Sequence, residues 1–287
     1  MAEIITSAQN PKIKKLLALQ QKSSERRESG LFVVEGVREL QHCIEAGYEI
    51  DTLFVLPPQT GDSNGHDPSH SVGPSHLHGC MSTLIELQLC SDNTNNARIY
   101  EVSPAVYEKI AYRGSTEGVI AEVRAESRTL ADLKLGDNPL IVVLESVEKP
   151  GNLGAVLRSA DAAGADAVII CDPLTDLYNP NLIRASIGGI FSVPCVACSS
   201  EEAIAFFKKN GIQILTAQLQ DSSLYYDYDM KKGTAIVMGT ESTGLTDVWR
   251  EAADAHIRIP MLGKLDSLNV SVSAAILLFE AVRQRNG

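Results

Sequence analysis

The run Leu140-Ile141-Val142-Val143-Leu144, followed by Glu145-Ser146-Val147-Glu148-Lys149-Pro150-Gly151-Asn152-Leu153-Gly154-Ala155-Val156-Leu157-Arg158, is an unbroken apolar stretch that ends in a Gly-punctuated helix start. Such a run reads as a strand buried on both faces that feeds a crossover helix. Similar runs recur at Ala167 to Cys171, Ile212 to Leu215, Ala235 to Met238 and His256 to Ile259, with helical stretches between them. Cys195-Val196-Ala197-Cys198 is apolar and strand-like as well. The expected fold class of residues 139–287 is therefore α/β, a mostly parallel sheet covered by helices.

Outward from this half, residues 126–138 are polar and end in Gly136-Asp137-Asn138-Pro139, which reads as an interdomain linker. Residues 1–125 alternate strand-like runs (Leu31 to Val34, Thr52 to Leu56, Arg98 to Val102, Gly118 to Val123) with helical ones (Val37 to Ala46, Leu84 to Leu89, Pro104 to Ala111). This predicts a second, smaller α/β domain. Within it, residues 57–79 dissolve into Pro, Gly, Ser, Asp and His. The irregular spacing of His66, His70, His76 and His78 argues for a flexible insertion rather than a metal site.

The chain has 287 residues and is 44% hydrophobic, enough for real cores, so disorder of the whole chain is excluded. No apolar run approaches the roughly 20 residues of a membrane helix, and the opening Met1-Ala2-Glu3 lacks the pattern of a signal peptide. A cytoplasmic location, with no membrane and no metal, is expected. The six cysteines offer no second pair to complete a zinc site beside Cys195 and Cys198, and read as reduced thiols.

Twenty-five Lys and Arg against 36 Asp and Glu give a net charge of −11, which argues against indiscriminate nucleic-acid binding. One segment runs the other way: Lys12, Lys14, Lys15, Lys22, Arg26, Arg27 and Arg38 face only Glu25, Glu28 and Glu35. Asn10-Pro11 marks a helix start, and Ile13, Leu16, Leu17 and Leu19 supply a loose apolar stripe. The basic side is either a solvated helix face or an arm for phosphates, with Lys12, Lys14, Lys15, Arg26, Arg27 and Arg38 as candidates.

Three segments of the second half follow predicted strands, at the carboxyl edge where open α/β sheets bind ligands. In the first, Gly151 and Gly154 are read as letting the backbone turn into a helix that carries Asn152 and, in its second turn, Arg158. A guanidinium there can grip a phosphate bidentately; an ordinary strand-to-helix turn reads the same. In the second, Met238-Gly239-Thr240-Glu241-Ser242-Thr243-Gly244-Leu245, Gly239 permits close backbone approach and Glu241 places a carboxylate at a helix start. Helix capping explains that segment equally well. The third, from Ile259-Pro260-Met261 through Ser267-Leu268-Asn269 to Ala275, runs small and polar residues into a helix, as backbone must when it approaches something closely.

Together and in this order, the segments resemble the signature motifs of the SpoU (TrmH-like) family of RNA ribose 2′-O-methyltransferases, part of the SPOUT superfamily. The resemblance spans Leu140 to Arg285 and includes Asn179-Pro180 through Arg184-Ala185-Ser186 to Pro194. Phe32-Val33-Val34-Glu35-Gly36 and the run to Gly118-Val119 resemble the family's L30e-like substrate-binding domain. The chain departs from the pattern at Ile187-Gly188-Gly189-Ile190-Phe191 and in the 57–79 insertion, neither at a catalytic position.

The resemblance implies a SPOUT domain threaded into a deep trefoil knot, S-adenosyl-L-methionine as cofactor, and a homodimer whose active sites draw on both chains. It places Gly239, Thr240, Ile259, Met261 and Leu268 at the cofactor, largely through backbone groups. Asn152, Arg158, Glu241, Ser267 and Asn269 form the implied catalytic set. A guanidinium stays protonated in proteins, so Arg158 is read as holding the RNA phosphate and the developing oxyanion, and the proton acceptor is left open. Glu241 is read as orienting Arg158, Asn152 or the loop. The resemblance favours rRNA over tRNA as substrate. The alternatives are a tRNA 2′-O-methyltransferase, a catalytically silent RNA-binding or assembly factor, and a dinucleotide-dependent oxidoreductase; the last is disfavoured because no GxGxxG follows Leu144. Tyr100, Tyr107, Tyr112 and Arg113 either stack on unpaired bases or pack a core, and for the three tyrosines core packing is the preferred reading.

Overall fold

The computed structural model describes residues 3–57, 97–112, 117–240, 243–265 and 267–287. The expected helix at Leu84 to Leu89, the four histidines, Arg113 and Glu241 lie outside the described residues. The chain divides into two compact units, Met1–Glu126 and Ser127–Gly287.

In the first unit, Asn10 caps the helix Pro11–Gln21 by accepting from the Lys12 N–H at 2.9 Å, and Pro11 occupies the first turn, where its missing N–H costs nothing. Ile13, Leu16 and Leu19 are its buried face. A second short helix, Ser23–Ser29, has no apolar periodicity to announce it and ends at Gly30, whose φ of 66° only glycine adopts without strain. Five strands form one sheet in the order β1-β4-β3-β5-β2, where β1 is Glu3–Ile5, β2 Leu31–Glu35, β3 Ile50–Val55, β4 Arg98–Val102 and β5 Val119–Arg124. β1, β4 and β3 run parallel, and β5 and β2 pair antiparallel. Tyr107 is buried in the core and Tyr100 packs against it, while Tyr112 is exposed.

In the second unit, seven strands follow the order β10-β12-β9-β11-β6-β7-β8, and every pairing among the described residues is parallel. These are β6 (Leu140–Glu145), β7 (Ala167–Cys171), β8 (Cys195–Cys198), β9 (Gln213–Ala217), β10 (Ser223–Leu224), β11 (Thr234–Met238) and β12 (Ala255–Arg258). All six residues of β6 and all five of β7 and β11 are buried, as continuous apolar runs require when helices cover both faces. The helices Pro150–Ala162, Pro180–Ser186 and Val270–Asn286 pack together.

Three local readings need correction. Residues 130–135 are not a free linker, because Leu130, Leu133 and Leu135 pack on the core around Ile141, Phe207 and Trp249. Gly151 and Gly154 lie inside the helix, which begins at Pro150, so Arg158 falls in its third turn. The left-handed residue of the turn is Ser146, at φ 51°. Gly154 serves packing: a Cβ there would meet the Ala185 Cβ at 2.5 Å and the Ala185 carbonyl carbon at 2.6 Å, so the helices lie close only because that atom is missing.

Candidate active site

The parallel topology brings the carboxyl ends of β9, β11 and β12 side by side, and a cavity of about 320 Å³ opens there. Its lining includes Gly239 and Thr240 after β11, Ile259 and Met261 after β12, and Ser267 and Leu268 in the loop that leads to the last helix. All five expected cofactor residues and Ser267 of the expected catalytic set therefore meet at one place. Sequence reasoning did not single out the β9 edge (Ala217, Gln218, Leu219, Gln220) or Arg250 and Arg258, which also line it. No motif carried them, and only the strand order puts them beside β11 and β12.

The loop after β11 is held from two directions. Thr240 and Gly244 exchange main-chain hydrogen bonds at 3.3 and 3.1 Å, and the Thr243 N–H donates to Thr240 Oγ1 at 3.1 Å. The close approach read at Gly239 is to the chain itself, since a Cβ there would sit 2.2 Å from the Gly244 carbonyl oxygen. The following helix begins at Asp247 with Thr246 as its N-cap, so Thr243 does not cap it. Thr246 is instead fixed by Glu145, buried at the end of β6, whose carboxylate accepts from the Thr246 N–H at 2.9 Å and from its Oγ1 at 2.6 Å. A buried carboxylate that accepts two donors is satisfied, and it ties the loop to the sheet edge.

Asn269 caps the helix Val270–Asn286, its Oδ1 accepting from the Ser271 N–H at 3.0 Å and the Ser271 Oγ at 2.6 Å. That bond aims its amide nitrogen across to the neighbouring helix, where it donates to Asn152 Oδ1 at 3.2 Å. Asn269 is flanked in sequence by the lining residues Leu268 and Val270. Arg158 is not brought to this pair: it is exposed two turns further along its helix and does not line the cavity.

Of the basic residues in the first unit, Lys14, Arg27 and Arg38 are exposed. Lys12 lies over the Tyr100 ring, 4.4 Å from its centre, and Lys15 pairs with buried Glu122 at 2.7 Å. Arg26 departs from the expectation: it is buried, and its guanidinium donates to the main-chain carbonyls of Leu19 and Gln20, closing the corner between the first two helices instead of facing phosphate. No group of His, Cys, Asp and Glu suited to a metal occurs among the described residues.

Comparison with known proteins adds three findings. Residues 139–279 match the SpoU rRNA Methylase family, and residues 10–121 match the MRM3-like substrate binding domain. The chain is 31% identical to the 23S rRNA (adenosine(1067)-2′-O)-methyltransferase of Streptomyces azureus over 98% of this chain and 96% of that one. Among solved structures, an RNA 2′-O ribose methyltransferase is 38% identical with a TM-score of 0.77, over 99% of this chain and 100% of that one. An AdoMet-bound rRNA methyltransferase from Sinorhizobium meliloti is 28% identical with a TM-score of 0.82, covering 98% of each.

Proposed function

The chain belongs to the SpoU rRNA methylase family, and from that membership we propose that it transfers a methyl group from S-adenosyl-L-methionine to a ribose 2′-hydroxyl of 23S-type rRNA. The observation that carries the reading is the cavity at the ends of β9, β11 and β12, with the Asn152–Asn269 pair beside its loop. A volume of about 320 Å³ lies at the lower end for small-molecule sites. The lining also contains two buried polar atoms without a protein partner, Gln218 Oε1 and Arg250 Nε, so the residues fit a polar nucleoside-like ligand. Gly239, Thr240, Ile259, Met261 and Leu268 would hold it. The cofactor, when bound, supplies an electrophilic methyl group on a sulfonium.

The remaining work falls to the chain. Transfer requires the 2′-oxygen in line with the methyl group and its developing charge compensated. Asn152 and Asn269, locked to each other and to the helix cap, present amides that can orient the ribose. Arg158 is assigned the RNA phosphate and the oxyanion, which a guanidinium can grip bidentately. Ser267, in the lining, and Glu241 complete the set, Glu241 as a positioning residue. A homodimer accounts for the exposure of Arg158, which then serves the partner's site. It also accounts for Val272 and Phe279, seven residues apart on one helical face and 47% and 48% exposed. The trefoil knot belongs to the same proposal. Lys12, Lys14, Lys15, Arg27 and Arg38 are proposed to guide the RNA. No helix among the described residues is long and apolar enough to cross a membrane, and we place the protein in the cytoplasm.

The test is transfer of labelled methyl from S-adenosyl-L-methionine to separated rRNA and tRNA, with wild-type protein and Arg158→Ala side by side. Label in rRNA that disappears in the variant, with cofactor affinity retained, is the expected result. Label confined to tRNA overturns the target. Cofactor binding without transfer to any RNA overturns the catalytic reading in favour of a silent RNA-binding factor.

A further inference from the structure

We infer that Gln218 and Arg250 are side-chain ligands for the amino-acid end of the cofactor, Arg250 taking its carboxylate and Gln218 its ammonium. The inference rests on the cofactor reading above and adds two residues that the family motifs do not include. Both side chains line the cavity, one from the loop after β9 and one from the helix Asp247–Ala252. Each holds a buried atom with no hydrogen-bond partner: an acceptor, Gln218 Oε1, and a donor, Arg250 Nε. Burying such atoms unpaired is costly, so a cavity that keeps both is suited to a ligand offering the opposite pair.

Part of each side chain is already engaged with the protein. Gln218 spends its amide nitrogen on the Gln220 carbonyl at 2.9 Å, which fixes the amide and frees only the oxygen. The Arg250 Nη1 approaches the 85% exposed carboxylate of Asp247 at 3.5 Å, a weak surface contact that leaves the Nε edge of the guanidinium for a bidentate anion. The charged residues of the described lining are Arg250 and Arg258, with no carboxylate among them. A guanidinium gives a carboxylate a charge-assisted partner, so the carboxylate end is assigned to an arginine. Arg258 has its own partner, donating to Ser222 Oγ at 3.4 Å, whereas the orphaned donor is on Arg250.

Calorimetric binding of two probes tests this: S-adenosylhomocysteine, which carries the amino-acid end, and 5′-methylthioadenosine, which shares the adenosine and lacks that end. Wild-type protein should bind the first more tightly. In Arg250→Met its affinity should fall roughly tenfold to a hundredfold, the range for a lost charge-assisted hydrogen bond. Gln218→Met should weaken it in the same direction and by less. The affinity for 5′-methylthioadenosine should stay unchanged in both variants, which also reports an intact pocket. Equal weakening of the two probes, or no weakening of either, overturns the assignment while leaving the cofactor reading in place. A wild-type protein that binds neither probe overturns both.

Discussion

Asn269 and Asn152, 117 positions apart in the chain, share a hydrogen bond of 3.2 Å that joins the cap of one helix to the first turn of another. Asn269 thus does two jobs with one amide, its oxygen closing its own helix and its nitrogen reaching Asn152. Asn269→Ala should cost about 1 kcal/mol through the lost cap. Asn152→Ala, with no cap to lose, should change stability by less than about 0.5 kcal/mol. Both should lower methyl transfer by on the order of a hundredfold, since misplacing a reacting group is that expensive. Thermal melts, transfer rates and the double variant check this; rates that multiply independently would show the two amides do not act as a unit.

The tether from Glu145 to Thr246 makes a second prediction. Glu145→Ala removes the acceptor of two part-buried hydrogen bonds from the exposed Thr246 and should destabilise the second unit by about 0.5–1.5 kcal/mol. Glu145→Gln keeps one acceptor and should cost less. Because Thr246 closes the loop that starts at Gly239, affinity for S-adenosylhomocysteine should fall in the same order. Unaltered affinity in Glu145→Ala would mean the loop holds its shape without the tether.

Gly154→Ala tests the helix contact. The added methyl would lie 2.5 Å from the Ala185 Cβ and 2.6 Å from its carbonyl carbon, so the helices must separate, at a cost of about 1–3 kcal/mol. Ala185→Gly in the same chain should recover only part of the loss, because the backbone atoms of 185 and 186 remain in the way. Denaturant melts of the single and double variants measure both quantities.

Two carboxylates of the first unit should respond to pH in opposite directions. Burial pushes the Asp51 carboxyl up, but hydrogen bonds from Thr52 and Arg98, with the charges of Arg98 and Lys15, outweigh it and hold the group below its ordinary value. Its contribution to stability is therefore full above the ordinary aspartate range and lost as pH falls through the lowered value. Burial raises the Glu122 carboxyl, and Lys15 offsets this only in part, so the ionised form costs stability and acidification relieves that cost. Asp51→Asn should lower the melting temperature at pH 7, with the gap to wild type closing below about pH 4. Glu122→Gln should hold or raise it at pH 7, and that margin should shrink on acidification. A constant gap for Asp51→Asn across the titration would contradict the assignment.

The apolar runs of β6, β7 and β11 and the Asn10-Pro11 helix start were determined by sequence, because burial on two faces and a capping side chain both leave local patterns. The motifs around Asn152, Gly239, Ile259 and Leu268 pointed to the chemistry only through their joint resemblance to a known family, because the first two segments taken alone read equally well as an ordinary turn or helix cap. The short helix Ser23–Ser29 and the two-residue β10 left no pattern to read, since neither is long enough for a period to show. What tertiary structure alone decided is who meets whom. A parallel sheet returns every strand to the same edge through a long crossover, so Glu145 finds Thr246 across 101 positions and the ends of β9, β11 and β12 converge on one cavity. Charge alone grouped Arg26 with Lys14 and Arg27, and only the packing of two helices buried its guanidinium against main-chain carbonyls. Gln218 and Arg250 were invisible for a like reason. Their chemistry lies in atoms left unpaired by the fold, and composition and spacing carry no record of which atoms a fold leaves unpaired.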